Sequence, residues 1–449
     1  MEIGRSLAGL FHNLSADGGR IPRRGVKNFP ADSGCYRGET AEDRIGGKRL
    51  HKICGRLAAG FVVVVLSATE ARSEGPVLLP KNLATARERL DRGDPALQPA
   101  LVKLRAEAEA LLRQTPPSVL DKVVVGPSGD KRDYFSVSPC WWPDPVQPQG
   151  RPYGWRDGQP NPGNRAGRSD PASFARLCSG VETLALAYHF TGRERYAKKA
   201  AQFLRVWFIA PTSRMNPHLR FADTVPGRPN RLGNGIFECR RLAVLLDAVS
   251  LMRDSYAWPA TDQAAFAAWL ADYASWLATS EHGVAGRAAR NHVGTWYDVQ
   301  AARLALALGR VDEARAIVEG ARTIRVGVQI QPDGGQPLEL ARAHALACSI
   351  SNAEALVRLG LLADEWGVEW WQGIPPYGGG VVAALTYLAP FADPSIAWPS
   401  ESVRASEREQ LRRLLAIAGR RTGVPELTAT IPPLSDLSPP HARGRLLWP

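Results

Sequence analysis

The sequence predicts an all-α protein in which antiparallel helical hairpins close into an (α/α) toroid, and three observations carry that prediction. Apolar residues recur at helical spacing on one face through most of the chain after Asp170. A Gly-Arg turn between two apolar stripes occurs twice, at Gly192-Arg193 and Gly309-Arg310, 117 residues apart. Strand-like alternation is almost absent. Hairpins that each bury one face can close into a ring or stack as a solenoid. The uneven hairpin lengths and the aromatic, charged loops favour the ring, and the strict period of about 34 residues of a tetratricopeptide array is missing.

The elements follow in chain order. Residues 1–71 stand apart as an upstream extension plus signal peptide: Lys48, Arg49, Lys52 and Arg56 precede an apolar run from Leu57 to Thr69 that ends near Ala71. A run shorter than the ~20 residues of a membrane span predicts cleavage and no stable membrane insertion, hence a periplasmic or secreted protein. Because almost fifty residues precede this signal, the true translation start is expected downstream of Met1. Residues 72–118 read as an N-terminal helical segment, with an amphipathic helix from Pro95 to Thr115 that carries Leu97, Leu101, Leu104, Ala108, Leu111 and Leu112 on one stripe. Residues 119–400 hold the toroid. It begins with a long Gly-, Pro-, Asp- and Trp-rich loop, 125–169, expected to be an ordered lid or cleft wall. Helices are expected from Phe174 to Phe190, across Tyr196 to Trp207, over 237–254, 261–280 and 336–362, and on both sides of Gly309. A helix over 406–418 and a Pro-rich tail make up the last segment, 401–449.

Composition narrows the classes. With 449 residues, 45% apolar and 22% charged, the chain can bury a sizeable core and is not a disordered protein. Its net charge is +12; residues 1–71 hold eleven Lys/Arg and seven Asp/Glu, so the remainder keeps 45 against 37, about +8. No Lys/Arg block or nucleic-acid module appears, so the expected partner of a basic exported protein is an acidic polysaccharide or oligosaccharide and not nucleic acid. Cys140, Cys178, Cys239 and Cys348 are widely spaced, which speaks against structural zinc and leaves disulfide pairing open. No Ser-His-Asp elbow, P-loop, dinucleotide fingerprint or HExxH motif is present, and neither a cofactor nor a metal is expected.

Three segments could carry chemistry. Arg290-Asn-His-Val-Gly-Thr-Trp-Tyr-Asp298 opens a helix, so Asn291 and His292 would sit at its positive end, an amide donor for a carboxylate beside an imidazole that can accept a proton. The same pair suits an Asn cap followed by a core histidine. In Pro337-Leu-Glu-Leu-Ala-Arg342 the arginine would lie early in a helix, one turn after Glu339, where it could neutralise a carboxylate or simply pair with Glu339. Tandem Trp141-Trp142, with Arg156 and Asp157 nearby, offers flat faces for sugar rings or for a core.

Together Tyr134-Phe-Ser-Val-Ser-Pro-Cys-Trp-Trp-Pro-Asp-Pro145, Gly150-Arg-Pro-Tyr-Gly-Trp-Arg-Asp-Gly158, Asn291-His-Val-Gly-Thr-Trp-Tyr-Asp298 and Pro337-Leu-Glu-Leu-Ala-Arg342 resemble the alginate lyase family of polysaccharide lyases over roughly residues 120–375. The resemblance implies an incomplete toroid and metal-independent β-elimination from a uronate. It assigns Asn291, His292 and Arg342 to carboxylate neutralisation and proton abstraction; Tyr134, Trp141, Trp142, Tyr153 and Arg156, read from their aromatic and charged side chains, are the expected substrate-binding residues. The family's tyrosine, six or seven residues after the arginine, is replaced by Cys348 and Ser349; Tyr297 lies about 140° around the helix from His292 and is a poor substitute. Three readings follow: a lyase in which Cys348, Tyr134 or Tyr153 supplies the proton, an acidic-glycan binder on a lyase scaffold, or a hydrolase using Asp144, Asp157, Asp223 and Glu238.

Overall fold

The computed structural model describes residues 80–156, 158–164, 170–228, 232–373, 378–399, 403–428 and 443–447. The expected signal segment, Asp157 and most of the Pro-rich tail lie outside them.

Helices α1 (Pro80–Asp91) and α2 (Gln98–Leu112) lead into the first hairpin, α3 (Pro171–Thr191) and α4 (Glu194–Leu204). After α5 (Leu242–Ser250), α6 (Ala260–Thr279) and α7 (Glu281–Ala288) comes the second, α8 (His292–Ala307) and α9 (Val311–Ala321). The hairpins match beyond their turns. Gly192 and Gly309 both take a left-handed backbone, φ 65° and 73°, which a residue without Cβ adopts without strain. Helices α4 and α9 are each 11 residues long and each passes into a five-residue π-turn, Arg205–Ile209 and Arg322–Val326. Glu194 to Val311 and Arg205 to Arg322 are the same step of 117 residues, so the spacing seen in the sequence marks a repeated structural unit.

The remaining helices among the described residues are α10 (Gly327–Gln329), α11 (Pro337–Leu340), α12 (Ala345–Glu365), α13 (Val381–Leu388), α14 (Ala405–Thr422) and α15 (Arg443–Leu447). The chain is thus a mostly helical toroid of hairpins, as expected. Two corrections concern its inner walls. The predicted helix over 237–254 begins as a 3₁₀ turn, Asn234–Cys239, before α5. The predicted helix over 336–362 is broken: α11 ends at Leu340, a turn spans 341–344, and α12 then continues. Arg342 therefore lies in a turn and not within a helix.

Burial divides the apolar residues into two clusters. One gathers α1 to α6 around Trp207, Trp258, Phe203 and Tyr273; the other gathers α12, α13 and α14 around Trp370, Leu356 and Leu385. Helix α8 serves both, sending Tyr297 and Leu304 into the first and Trp296, Val299 and Ala302 into the second. Burying each large side chain contributes about 1.5–3 kcal/mol, which exceeds the ~1 kcal/mol of a typical hydrogen bond, so packing from both sides fixes this helix. Helix α12 is long and apolar enough to cross a membrane, but 83% of its apolar window is buried inside the protein, as in a core helix. The helical segment before residue 118 is not separate from the core, because α2 packs on α3 and α4 while α15 packs on α1 and α2.

Among its described residues the 125–169 loop carries three short strands. β1 (Phe135–Val137) pairs in parallel with β4 (Phe221–Thr224), and β2 (Trp141–Trp142) pairs antiparallel with β3 (Gly154–Trp155). Its root is pinned where the Phe135 amide donates to Asp170 Oδ2 at 2.7 Å and Lys122 pairs with the same oxygen at 3.0 Å. Burial pushes the Asp170 carboxyl up to about 6 against the opposing pull of Lys122.

Candidate active site

Asn291 caps α8: its backbone is extended and its Oδ1 accepts from the Val293 amide at 3.1 Å, which leaves the side-chain NH2 as the donor for a ligand. The elbow from α7 into this cap is unusually close. A Cβ on Gly294 would stand 2.0 Å from the Ala289 carbonyl oxygen and 2.5 Å from Arg325 Nη1, so only glycine fits. Buried Arg325 closes the elbow by donating to the Ala289 and Arg287 carbonyls at 2.6 and 2.7 Å and to Asp298 Oδ2 at 2.7 Å. Burial raises the Asp298 carboxyl above its usual range while the Arg325 guanidinium opposes the shift.

His292 is the first residue of α8 and is buried, its ring edge-on to Phe237 with centroids 4.8 Å apart. Glu339 grips it twice: Oε1 accepts the His292 amide at 2.6 Å and Oε2 faces Nδ1 at 2.8 Å. A carboxylate only accepts, so Nδ1 carries a proton, and in the neutral imidazole the lone pair then sits on Nε2. Glu339, on α11 and 2% exposed, is the residue that sequence reasoning missed as functional. Both of its oxygens face His292, 47 residues away, where helical spacing had suggested Arg342. Arg342 instead follows it into the turn, the Arg342 amide donating to the Glu339 carbonyl at 3.1 Å.

The Cys348 thiol, in the first turn of α12, is half-buried, and one ligand atom from each of His292, Glu339 and Cys348 lies within 4.8 Å of the others. A buried amide network ties these elements together. Asn352 Nδ2 donates to Gln329 Oε1 and Gln336 Oε1, both at 2.9 Å; Thr295 donates to Gln329 Oε1 at 3.0 Å, Gln329 Nε2 to the Asn291 carbonyl at 3.4 Å, and Gln336 Nε2 to the Ser349 carbonyl at 3.3 Å. Sequence spacing could not reveal this, because the partners come from four separate segments. Tyr297 points away, its hydroxyl donating to the Leu277 carbonyl at 3.2 Å.

The expected binding residues distribute differently. Tyr134 has no exposed surface: its ring packs edge-on against Phe174, and burial, then Glu238, pushes its phenol well above the usual range, so it is a core residue and not a cleft wall or accessible proton donor. Trp141 is buried, with Trp155 against its edge and the Arg228 guanidinium over its ring at 5.0 Å. Half-buried Trp142 carries exposed Arg156 over its ring at 4.8 Å, and Tyr153 is half-buried. Each of these tryptophans therefore has a guanidinium group over its ring. The loop reaches the site through His344, whose Nε2 lies 3.3 Å from the Gly158 carbonyl oxygen.

The acids considered for hydrolysis are also located. Ser136 donates to Glu238 Oε2 at 2.6 Å and accepts the Asp223 amide at 2.7 Å. Burial, then neighbouring Asp223, pushes the Glu238 carboxyl up to about 8. Asp144 is on the half-buried rim of the loop, apart from this pair in sequence and environment.

Residues 118–398 match the family profile described as alginate lyase. Among solved structures, an alginate lyase from Bacteroides ovatus is similar at 33% identity and a TM-score of 0.76, covering 81% of this chain and 97% of that one. Alginate lyase A1-III from Sphingomonas species A1 aligns at 16% identity and a TM-score of 0.46, covering 78% and 95%. No curated protein matches the sequence.

Proposed function

The chain belongs to the alginate lyase family, and on that premise we propose that it is an exported polysaccharide lyase that cleaves an alginate-like, uronate-containing glycan by β-elimination without needing a metal ion. The observation that carries the reading is the buried His292–Glu339 pair at the positive end of α8, directly after the Asn291 cap, in which Glu339 holds Nδ1 and Nε2 is the nitrogen left to act as a base.

In this reading Asn291 and Arg342 bind the uronate carboxylate and disperse the charge that builds when the neighbouring C5 proton leaves. Such donors stabilise the enolate-like transition state more than the ground state. His292 Nε2 takes the C5 proton, the C5 electron pair forms the C4–C5 double bond, and the C4–O bond breaks. Cys348 gives its proton to the departing oxygen. Water returns the proton from His292 to the Cys348 thiolate and resets the site. Arg156 and Arg228, held on the tryptophan rings of the loop, supply positive charge suited to a polyanion.

The test is a panel of polyuronates incubated with purified protein while the absorbance of the unsaturated product is followed. His292→Ala is expected to lower turnover at least about 100-fold and Arg342→Ala by about 100- to 1000-fold, with the helical circular dichroism retained. Reducing ends without the new absorbance would mean hydrolysis, glycan binding with neither would mean a binding protein, and full activity in both variants would remove the site assignment.

A further inference from the structure

The same cluster has a second chemical meaning. Imidazole, carboxylate and thiol are the donor set preferred by Zn²⁺ and its borderline-soft relatives, and three protein ligands with one open position is a stable arrangement for such an ion. Tetrahedral bonds of about 2.0–2.3 Å separate ligand atoms by roughly 3.3–3.6 Å. The His292, Glu339 and Cys348 ligand atoms already lie within 4.8 Å of one another, with Nδ1 and Oε2 at 2.8 Å, so closure needs only that the first pair spread slightly and the thiol approach. The second shell is in place. Glu339 Oε1 is held by the His292 amide at 2.6 Å, which orients the carboxylate, and the imidazole packs edge-on against Phe237 with centroids 4.8 Å apart.

We infer that His292, Glu339 and Cys348 form a binding site for a Zn²⁺-class cation whose occupancy switches the enzyme off. The cation takes the position of the proton between Nδ1 and Oε2, the imidazole proton moves to Nε2, and the Cys348 thiol releases its proton to solvent as it ligates. A protonated Nε2 cannot accept the C5 proton, and a ligated sulfur has none to give. The inhibitory half of this inference rests on the lyase reading; the binding half does not.

Co²⁺ serves as the probe because a thiolate ligand gives it a charge-transfer band in the near ultraviolet. Full-length, reduced, metal-stripped protein titrated with Co²⁺ should develop that band with about one equivalent, and Zn²⁺ should abolish it. Cys348→Ser should remove the band, Cys140→Ser should leave it, and Glu339→Gln should weaken binding at least tenfold. No band in the unsubstituted protein, or an unchanged band in Cys348→Ser, overturns the site. Alkylation of Cys348, read by peptide mass, gives a check without substitution: Zn²⁺ should slow it at least tenfold, and an unchanged rate is equally fatal. In the polyuronate assay Zn²⁺ should suppress turnover, with recovery on adding a chelator; undiminished or increased turnover of the Zn²⁺-loaded protein overturns the switch. A protein that binds Co²⁺ through Cys348 but eliminates from no polyuronate refutes the lyase reading alone, and one that eliminates but gives no band refutes the metal site alone.

Discussion

Replacing Glu339 by glutamine separates a merely buried histidine from one held for catalysis. The carboxylate makes two short contacts to His292, at 2.6 Å to the amide and 2.8 Å to Nδ1, in a place where His292 is 7% and Glu339 2% exposed. Glutamine can still accept one of these bonds, but it brings an NH2 to the other and no charge to offset the imidazolium that the proposed proton abstraction would form. A charge-assisted hydrogen bond contributes about 1.5–3 kcal/mol. At about 1.4 kcal/mol per tenfold, the loss corresponds to a kcat lower by roughly 10- to 150-fold. Because Glu339 acts through His292, KM should stay within about threefold, and Glu339→Asp, which keeps the charge, should recover part of the rate. Initial rates from unsaturated-product absorbance across substrate concentration give both parameters. A Glu339→Gln protein with native circular dichroism and more than half the original kcat would refute the assignment of Glu339 as the positioning residue.

Three further outcomes are expected. Gly294→Ala drives a methyl into the Ala289 carbonyl and Arg325, so calorimetry should report a Tm lower by about 1–4 °C, as overpacking by some 1–3 kcal/mol implies for a chain of this size, together with lost turnover. The folded-state pKa of Glu238, about 8, is raised above its ordinary 4.5, so its stabilisation is complete below pH 4.5 and is lost as pH rises to 8. Denaturant titrations should thus show stability falling by up to ~1.4 kcal/mol per pH unit from this group within that window, and Glu238→Gln should flatten the slope. His344→Ala removes the 3.3 Å contact with Gly158 and should raise KM about 2- to 10-fold while kcat changes less than twofold, as the loss of one neutral hydrogen bond at the loop implies.

How much could be read beforehand differs by element. The hairpins were legible because a stripe of apolar residues and a left-handed glycine are local signals, and the α3–α4 and α8–α9 turns fall where Gly192 and Gly309 require. The break between α11 and α12 was not, since Ala341-Arg-Ala-His344 contains neither glycine nor proline and tertiary contacts alone interrupt the helix. Helix α7 was not among the expected helices, since its glycines, Gly283 and Gly286, weaken local propensity; close packing against Leu277 and Ile236 requires them. In the site, the Asn291 cap and adjacent histidine were visible from their place before an apolar run. Glu339 was hidden because spacing suggested a partner three residues away, whereas its real partner is 47 residues away. The tryptophan pair was recognised as aromatic, but nothing local foretold that Arg228 and Arg156 would cover the rings.

The double allegiance of α8 governs how this enzyme can fail. Its apolar side chains are divided between the two halves of the interior, so peeling away either half strips one flank of the helix whose first residues are Asn291 and His292. A half-unfolded species should not keep this end of the helix in register, and partial denaturation should not yield a slower enzyme. Activity and global structure should vanish in one cooperative transition, and the amides of α8 should exchange with deuterium only when the whole molecule opens.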